Sequence, residues 1–310
     1  DVERSRGLGD VYKRQVDTIV GGAGIGFPTP GTIYYLDPAN GNDTNDGKSP
    51  AKAVKSWATA YGKLTANKND VLVYIGGSTS LRTTAAVTWN KSYTHFIGIS
   101  APVMAGNRAR IFATSTQTDA VWWTVSASGC IFKNIRWHYG VASASALGCM
   151  KVTGGRNYFE NCSIEGIGNN TQDAANAYSL ELNGAGENVF KHCSIGLDTI
   201  ARGTASNDEI RCDASAVRNI FEDCIIFAYI EADSHNLVKV VDNTGLDRYL
   251  IFRNCLFLSE SSNNGTDMTS AFDVPANMVT SYIIIDNCTK VGITDWESND
   301  RGKTYTSGSD

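Results

Sequence analysis

One hexapeptide recurs along this chain and restricts what it can fold into. Phe159-Glu160-Asn161-Cys162-Ser163-Ile164 returns as Phe190-Lys191-His192-Cys193-Ser194-Ile195, as Phe221-Glu222-Asp223-Cys224-Ile225-Ile226 and as Phe252-Arg253-Asn254-Cys255-Leu256-Phe257. A degenerate copy, Ile285-Asp286-Asn287-Cys288-Thr289-Lys290, follows; an earlier one, Phe132-Lys133-Asn134-Ile135-Arg136-Trp137, has Ile in the Cys slot. From Phe132 to Ile285 the copies are 27, 31, 31, 31 and 33 residues apart. A near-constant period of this size marks a solenoid, in which each repeat buries its apolar face only against its neighbours.

The repeated unit is β-branched and aromatic with period-2 alternation, the chain is rich in Gly, Asn, Ser and Thr, and it holds only 6 Pro. Strands that recur once per turn and pair with their own copies form a parallel β-helix. The expected fold is therefore all-β: a single-stranded parallel β-helix with 31-residue coils, right-handed by the crossover rule, behind a short N-terminal α-helical cap.

The slots say what each column does. Phe, Cys and Ile columns stack inside, with Cys162, Cys193, Cys224, Cys255 and Cys288 in one file. The polar column Asn134, Asn161, His192, Asp223, Asn254, Asn287 fits a bend between two strands, where amides bond the backbone or their own copies. Asn157, Asn188 and Asn219 repeat in the same way. Outside, Lys133, Glu160, Lys191, Glu222, Arg253 and Asp286 alternate in sign. Side chains stacked about 4.8 Å apart repel if alike and pair if opposite, so alternation supports the stack. A second face, Lys151, Glu181, Arg211, Lys239, Asp273, suggests another such ladder.

A net charge of −5 gives no electrostatic footprint for nucleic acid, and no apolar run approaches the ~18 residues that span a bilayer. Eight cysteines without C-x-x-C or metal-ligand spacing read as buried free thiols, so neither a disulfide scaffold, a metal nor another cofactor is expected.

In chain order, residues 1–15 are expected to be non-native, because Asp10-Val11-Tyr12-Lys13-Arg14-Gln15 has the form of a translated sequencing-library end. Residues 16–33 read as a flexible arm, and residues 34–93 as a strand–helix–strand cap. That helix starts at Ser49 and Pro50 and carries Ala53, Val54, Trp57, Ala60, Tyr61 and Leu64 on one face. Residues 94–297 form the β-helix body, with loops at 166–178, 198–209, 228–236 and 259–269, and residues 298–310 a polar tail.

The pattern Tyr35-x-Asp37-Pro38-x-x-Gly41-x-Asp43-x-x-Asp46-Gly47-x-Ser49-Pro50-x-x-Ala53, ahead of a helix and repeated strands, resembles the entry to pectate-lyase-like β-helix proteins. That superfamily includes polysaccharide lyases, glycosidases and phage tailspikes. Thr65-Ala66-Asn67-Lys68-Asn69-Asp70-Val71, Arg108-Ala109-Arg110-Ile111 and Ile195-Gly196-Leu197-Asp198-Thr199 look like β-helix proteins encoded beside capsid genes of tailed phages. This resemblance covers roughly residues 31–295 and implies a non-enzymatic virion structural protein. Such a protein would be a homotrimeric capsid decoration or head fibre, assembled in the host cytoplasm and carried on the virion surface against a capsid or other virion protein. A tailspike-like polysaccharide lyase or glycosidase, which would take a glycan, is the alternative, and a secreted bacterial adhesin a further one.

A lyase or hydrolase needs converging carboxylates with Arg or Lys on one sheet face. Asp173, Glu181, Asp208 and Arg211 are the cluster that could supply them, although the ladders already account for charges such as Glu181 and Arg211. His95, His138 and His235 stand alone, which supports neither a triad nor a zinc site. One of Trp122 and Trp123 is expected to point outward. The slots after the Cys column are polar in early coils and apolar at Ile225, Phe227, Leu256 and Leu258, the expected self-association surface.

Overall fold

A computed structural model describes residues 29–101, 103, 109–203, 206–231, 235–261, 267–278, 281–298 and 304–307. Residues 1–15, expected to be non-native, most of the expected arm at 16–33 and most of the expected tail at 298–310 lie outside the described residues.

All strand pairs are parallel and fall into three sheets. Sheet I has ten strands, from Ile33–Leu36 and Val71–Ile75 to Tyr282–Asp286 and Thr304–Ser307, and carries the Phe slot. Sheet II has eight, from Leu81–Thr83 to Thr289–Val291; sheet III has eight, from Val87–Trp89 to Ile293–Glu297. Each strand pairs with its copy one coil away, Phe159 with Phe190 and Phe190 with Phe221, for example. The chain is a parallel β-helix.

The columns stack as their slots require. Phe132, Phe159, Phe190, Phe221 and Phe252 lie ring on ring, with centroids 4.7, 4.6, 4.7 and 4.8 Å apart. All eight cysteines are free thiols, Cys162, Cys193, Cys224, Cys255 and Cys288 in one file, and of the eight only Cys288 is half-buried. Asn157, Asn188 and Asn219 form a buried ladder: Asn157 N–H donates to Asn188 Oδ1 (2.9 Å) and Asn188 N–H to Asn219 Oδ1 (3.0 Å). Their amides return bonds to the carbonyls of Ala127, Gly154 and Ala185, so the ladder supplies partners to buried peptide groups at that corner.

The bend column turns the chain by backbone geometry. Asn134, Asn161, His192, Asp223, Asn254 and Asn287 all sit at φ between 51° and 56°, the left-handed region that Asn and Asp tolerate best after Gly. Asn287 Nδ2 donates to Asn254 Oδ1 (2.8 Å), Asn254 Nδ2 to Asp223 Oδ1 (3.2 Å), and His192 Nε2 lies 3.2 Å from Asp223 Oδ2. The outer charges of sheet I resolve into pairs: Lys133–Glu160 at 3.0 Å, Lys191–Glu222 at 3.0 Å and Arg253–Asp286 at 2.9 Å.

Four expectations need correction. The cap helix is two pieces, a 3-10 turn Pro50–Lys52 and helix α1 (Trp57–Lys63), and Ser56 rather than Ser49 caps the latter through a bond from Thr59 N–H. Val54 forms a strand bridge to Leu36 and its N–H donates to Tyr35 O, so the chain there is extended and cannot be helical. Strands also run on into three of the supposed loops, as Ser194–Arg202, Ile225–Ile230 and Leu256–Ser261, with a register shift between Leu197 and Ala201. Trp122 and Trp123 are both fully buried: Trp122 stacks on Tyr139 and donates to Thr83 Oγ1, and Trp123 packs on Trp57. The sheet III charges are only partly a ladder. Lys151–Glu181 (3.4 Å) and Lys239–Asp273 (3.0 Å) pair, but Arg211 turns to Asp208 instead.

Candidate functional site

The outer face of sheet II gathers three arginines around one aromatic ring. The column Arg82–Phe112–His138–Glu165 faces outward in register, one residue per coil. Beside it runs Arg110–Arg136–Ser163–Ser194. The guanidinium carbons of Arg82, Arg136 and Arg110 lie 5.6, 5.8 and 5.9 Å from the centre of the Phe112 ring, within cation–π range. The His138 ring packs on Phe112 at 4.9 Å.

Glu165 is the acid of this group. It is buried, its Oε2 accepts from Arg136 Nε (2.9 Å) and Nη2 (2.7 Å), and it lies 2.8 Å from His138 Nδ1. His138 is therefore not alone, as the sequence suggested; it belongs to a His–Glu–Arg cluster. Among the described residues the hydrogen bonds of Arg82 and Arg110 are long ones to carbonyls, Ala113 O (3.4 Å) and Ser78 O (3.5 Å) respectively. Arg110 Nε is buried and has no hydrogen-bond partner among the described residues.

Two open grooves flank this face where the cap meets the first coil, of ≈ 500 and ≈ 550 Å³, and both are lined by Ser56, Trp57 and Arg82. Sequence reasoning missed this site because Arg82, Arg110 and Phe112 precede the first recognisable repeat at Phe132. The available signal was Arg110, a position that the phage-like motif quoted above already contains.

Of the cluster singled out from sequence, Glu181, Asp208 and Arg211 do meet, on the outer face of sheet III, and Asp173 does not join them. Arg211 Nε bonds Asp208 Oδ2 (2.8 Å), and its guanidinium lies 5.4 Å from the Tyr178 ring. Tyr178 Oη donates to Glu181 Oε2 (2.7 Å), and Asn183 Nδ2 to Glu181 Oε1 (3.0 Å). Burial pushes the Asp208 carboxyl up to about 7, against the pull of Arg211. Each acid is engaged by a neighbour inside the protein, which makes this group a clasp between coils.

Asp173 lies instead at the corner between sheets II and III, bonded to Gly203 N–H (2.8 Å) and Asn207 Nδ2 (2.5 Å). There Glu209 and Arg202 form a wholly buried ion pair (3.1 Å), Ser179 Oγ donates to Glu209, and His235 Nδ1 bonds Asn207. Arg202 also donates to the carbonyls of Ile167, Leu197 and Ile200. This network closes the corner that the longest excursions leave open.

The apolar set stands in register on sheet II, Ile225 beside Leu256 and Phe227 beside Leu258. Phe227 is only 7% exposed and the other three are half-buried, because each covers the next one coil away. Val291, which extends the file, is 48% exposed. Among the described residues no group of three or more His, Cys, Asp or Glu is placed to hold a metal, and no helix is long and apolar enough to cross a membrane.

No protein-family model matches this chain, and no curated protein sequence matches it. Solved structures do. Pectate lyase Pel9A superposes with a TM-score of 0.58 at 17% identity, over 83% of this chain and 62% of that one. The fold is that of the pectate-lyase-like right-handed β-helix. A rhamnogalacturonan lyase matches with a TM-score of 0.57 at 16% identity, over 84% of this β-helix and 68% of the lyase. Pectin methylesterase PemA from Erwinia chrysanthemi matches with a TM-score of 0.54 at 14% identity, over 89% and 90%. At such identities the likeness concerns the fold alone, and the β-helix spans less than two thirds of the pectate lyase's length.

Proposed function

We propose that this β-helix engages a polysaccharide on the outer face of sheet II, beside the cap. The observation that carries the reading is the meeting of two open grooves at Trp57 and Arg82, next to the outward Phe112 ring. Glycan sites combine apolar rings with a few placed polar groups, and this face has both. The names of the similar structures, two lyases of plant-type polysaccharides and a pectin methylesterase, support the same substrate class. The acids of sheet III hold no role in this proposal, since their oxygens are engaged within the protein.

Retention of the protein on a panel of neutral and acidic polysaccharides, with parallel measurement of chain cleavage, tests the reading. We expect at least one polymer to retain it and Arg82→Ala to weaken that binding about tenfold, the effect of one charge-assisted contact. Failure to bind or cleave any member of the panel sinks the proposal.

The register of Ile225, Leu256, Leu258 and the exposed Val291 favours a second reading, the virion structural homotrimer, in which sheet II of one copy packs on another. Sedimentation as a monomer at every concentration would exclude it.

A further inference from the structure

We infer that the arginine cluster around Phe112 is a subsite for a fixed anionic group on the glycan, a carboxylate or a sulfate or phosphate ester. The inference rests on the polysaccharide reading and deepens it.

Its basis is a break in the rule that governs charge on sheet I. The cluster also differs from the like pair on sheet III, where Arg211 beside Lys239 is matched by an acid for each, Asp208 and Asp273. On sheet I, residues in register one coil apart are opposite in sign and pair, as Lys133 does with Glu160 and Lys191 with Glu222. On sheet II, Arg110 stands in register with Arg136, like on like, and Arg82 joins them across the same ring. Like charges directly opposite cost stability, so the stack alone gives no reason for them. Three guanidinium groups face one carboxylate, and Glu165 is already held by Arg136 and His138.

That leaves Arg82, which is exposed, and Arg110, which is half-buried, with donors to offer. Among the described residues Arg110 Nε has no partner, and the contacts of both residues to carbonyls are long. Guanidinium forks match the paired oxygens of carboxylates and the oxygens of phosphate or sulfate. Phe112 holds the three groups apart and presents a half-exposed ring to the apolar side of a sugar.

The test compares binding to a neutral glucan, to a carboxylated polymer such as polygalacturonate or alginate, and to a sulfated polymer such as dextran sulfate. Wild type is expected to bind one acidic class at least tenfold more tightly than the neutral polymer, with affinity falling as salt rises. A carboxylate preference assigns uronate-type units; a sulfate preference assigns esters. Arg82→Ala with Arg110→Ala should remove that preference, while Arg156→Ala, at the exposed pair with Glu187, leaves it intact. Arg110→Lys serves where the double variant fails to fold; it keeps the charge but not the fork and should weaken acidic binding severalfold. Equal binding of neutral and acidic polymers, or variants that bind acidic polymers as wild type does, overturns the subsite and leaves the polysaccharide reading standing. Binding of none overturns both.

Discussion

Asn161 shows how one residue type sets a corner. At φ 51° it turns the chain from sheet I to sheet II, and the same conformation recurs at Asn134, His192, Asp223, Asn254 and Asn287. A Cβ in this region costs about 1 kcal/mol, which Asn offsets through local hydrogen bonds of its short polar side chain, Ala cannot offset and glycine avoids. Asn161→Ala is therefore expected to lower stability by about 1 kcal/mol and Asn161→Gly by less, read as urea midpoints at constant slope. The reverse order would remove the backbone argument. His95 makes a second residue-scale prediction. Its Nδ1 accepts from Ile131 N–H (3.1 Å), and burial depresses its pKa from 6.5 to about 4. The unfolded chain thus takes up a proton below pH 6.5 that the folded one refuses, so this residue's contribution is intact above pH 6.5 and is lost as pH falls towards 4. His95→Asn keeps an acceptor and does not titrate. The stability gap between wild type and this variant should move in the variant's favour between pH 7.5 and pH 5; a gap independent of pH refutes the assignment.

At the scale of elements, strands and columns were readable wherever the period aligned them. Stacked phenylalanines, the file of thiols and the asparagine ladder follow from slot identity, because parallel in-register pairing places each side chain on its own copy. What escaped has local physical causes. Arg211 left its column because Asp208, three residues back, offered a buried carboxylate whose Oδ2 takes both Nε (2.8 Å) and Nη2 (2.6 Å), nearer than Glu181 one coil away. Trp122 turned inward because Thr83 and Tyr139 supply a partner for its N–H and a surface for its ring. Arg82, Arg110 and Phe112 were not marked out because no copy of the hexapeptide covers their coils; only Arg136 falls within one. The sheet I pairs carry their own prediction. Lys191→Glu would place Glu160, the new acid and Glu222 on three successive coils. The variant should melt below wild type, with a deficit that shrinks as salt is added; a deficit unchanged by salt would point to packing instead.

Across the whole molecule the core is continuous from the cap to the last coil and contains no cross-link. Seven of the eight cysteines are buried and Cys288 is half-buried, all as free thiols. A thiol reagent should label no more than one cysteine in the native protein and eight in urea, and reductant should leave the melting temperature unchanged. Rapid native labelling of several would contradict the inward file.

The alternation of sign along sheet I has a consequence for how such a rod can grow or shorten. Removing a single coil between Phe159 and Phe190 sets Lys133 against Lys191, whereas removing two sets it against Glu222 and keeps plus beside minus. Aromatic and thiol files are indifferent to the number removed; the charges count in twos. Lengths that differ by an even number of coils are thus the ones this architecture accommodates, and one-coil and two-coil deletions of the same rod would show the parity directly in their relative melting temperatures.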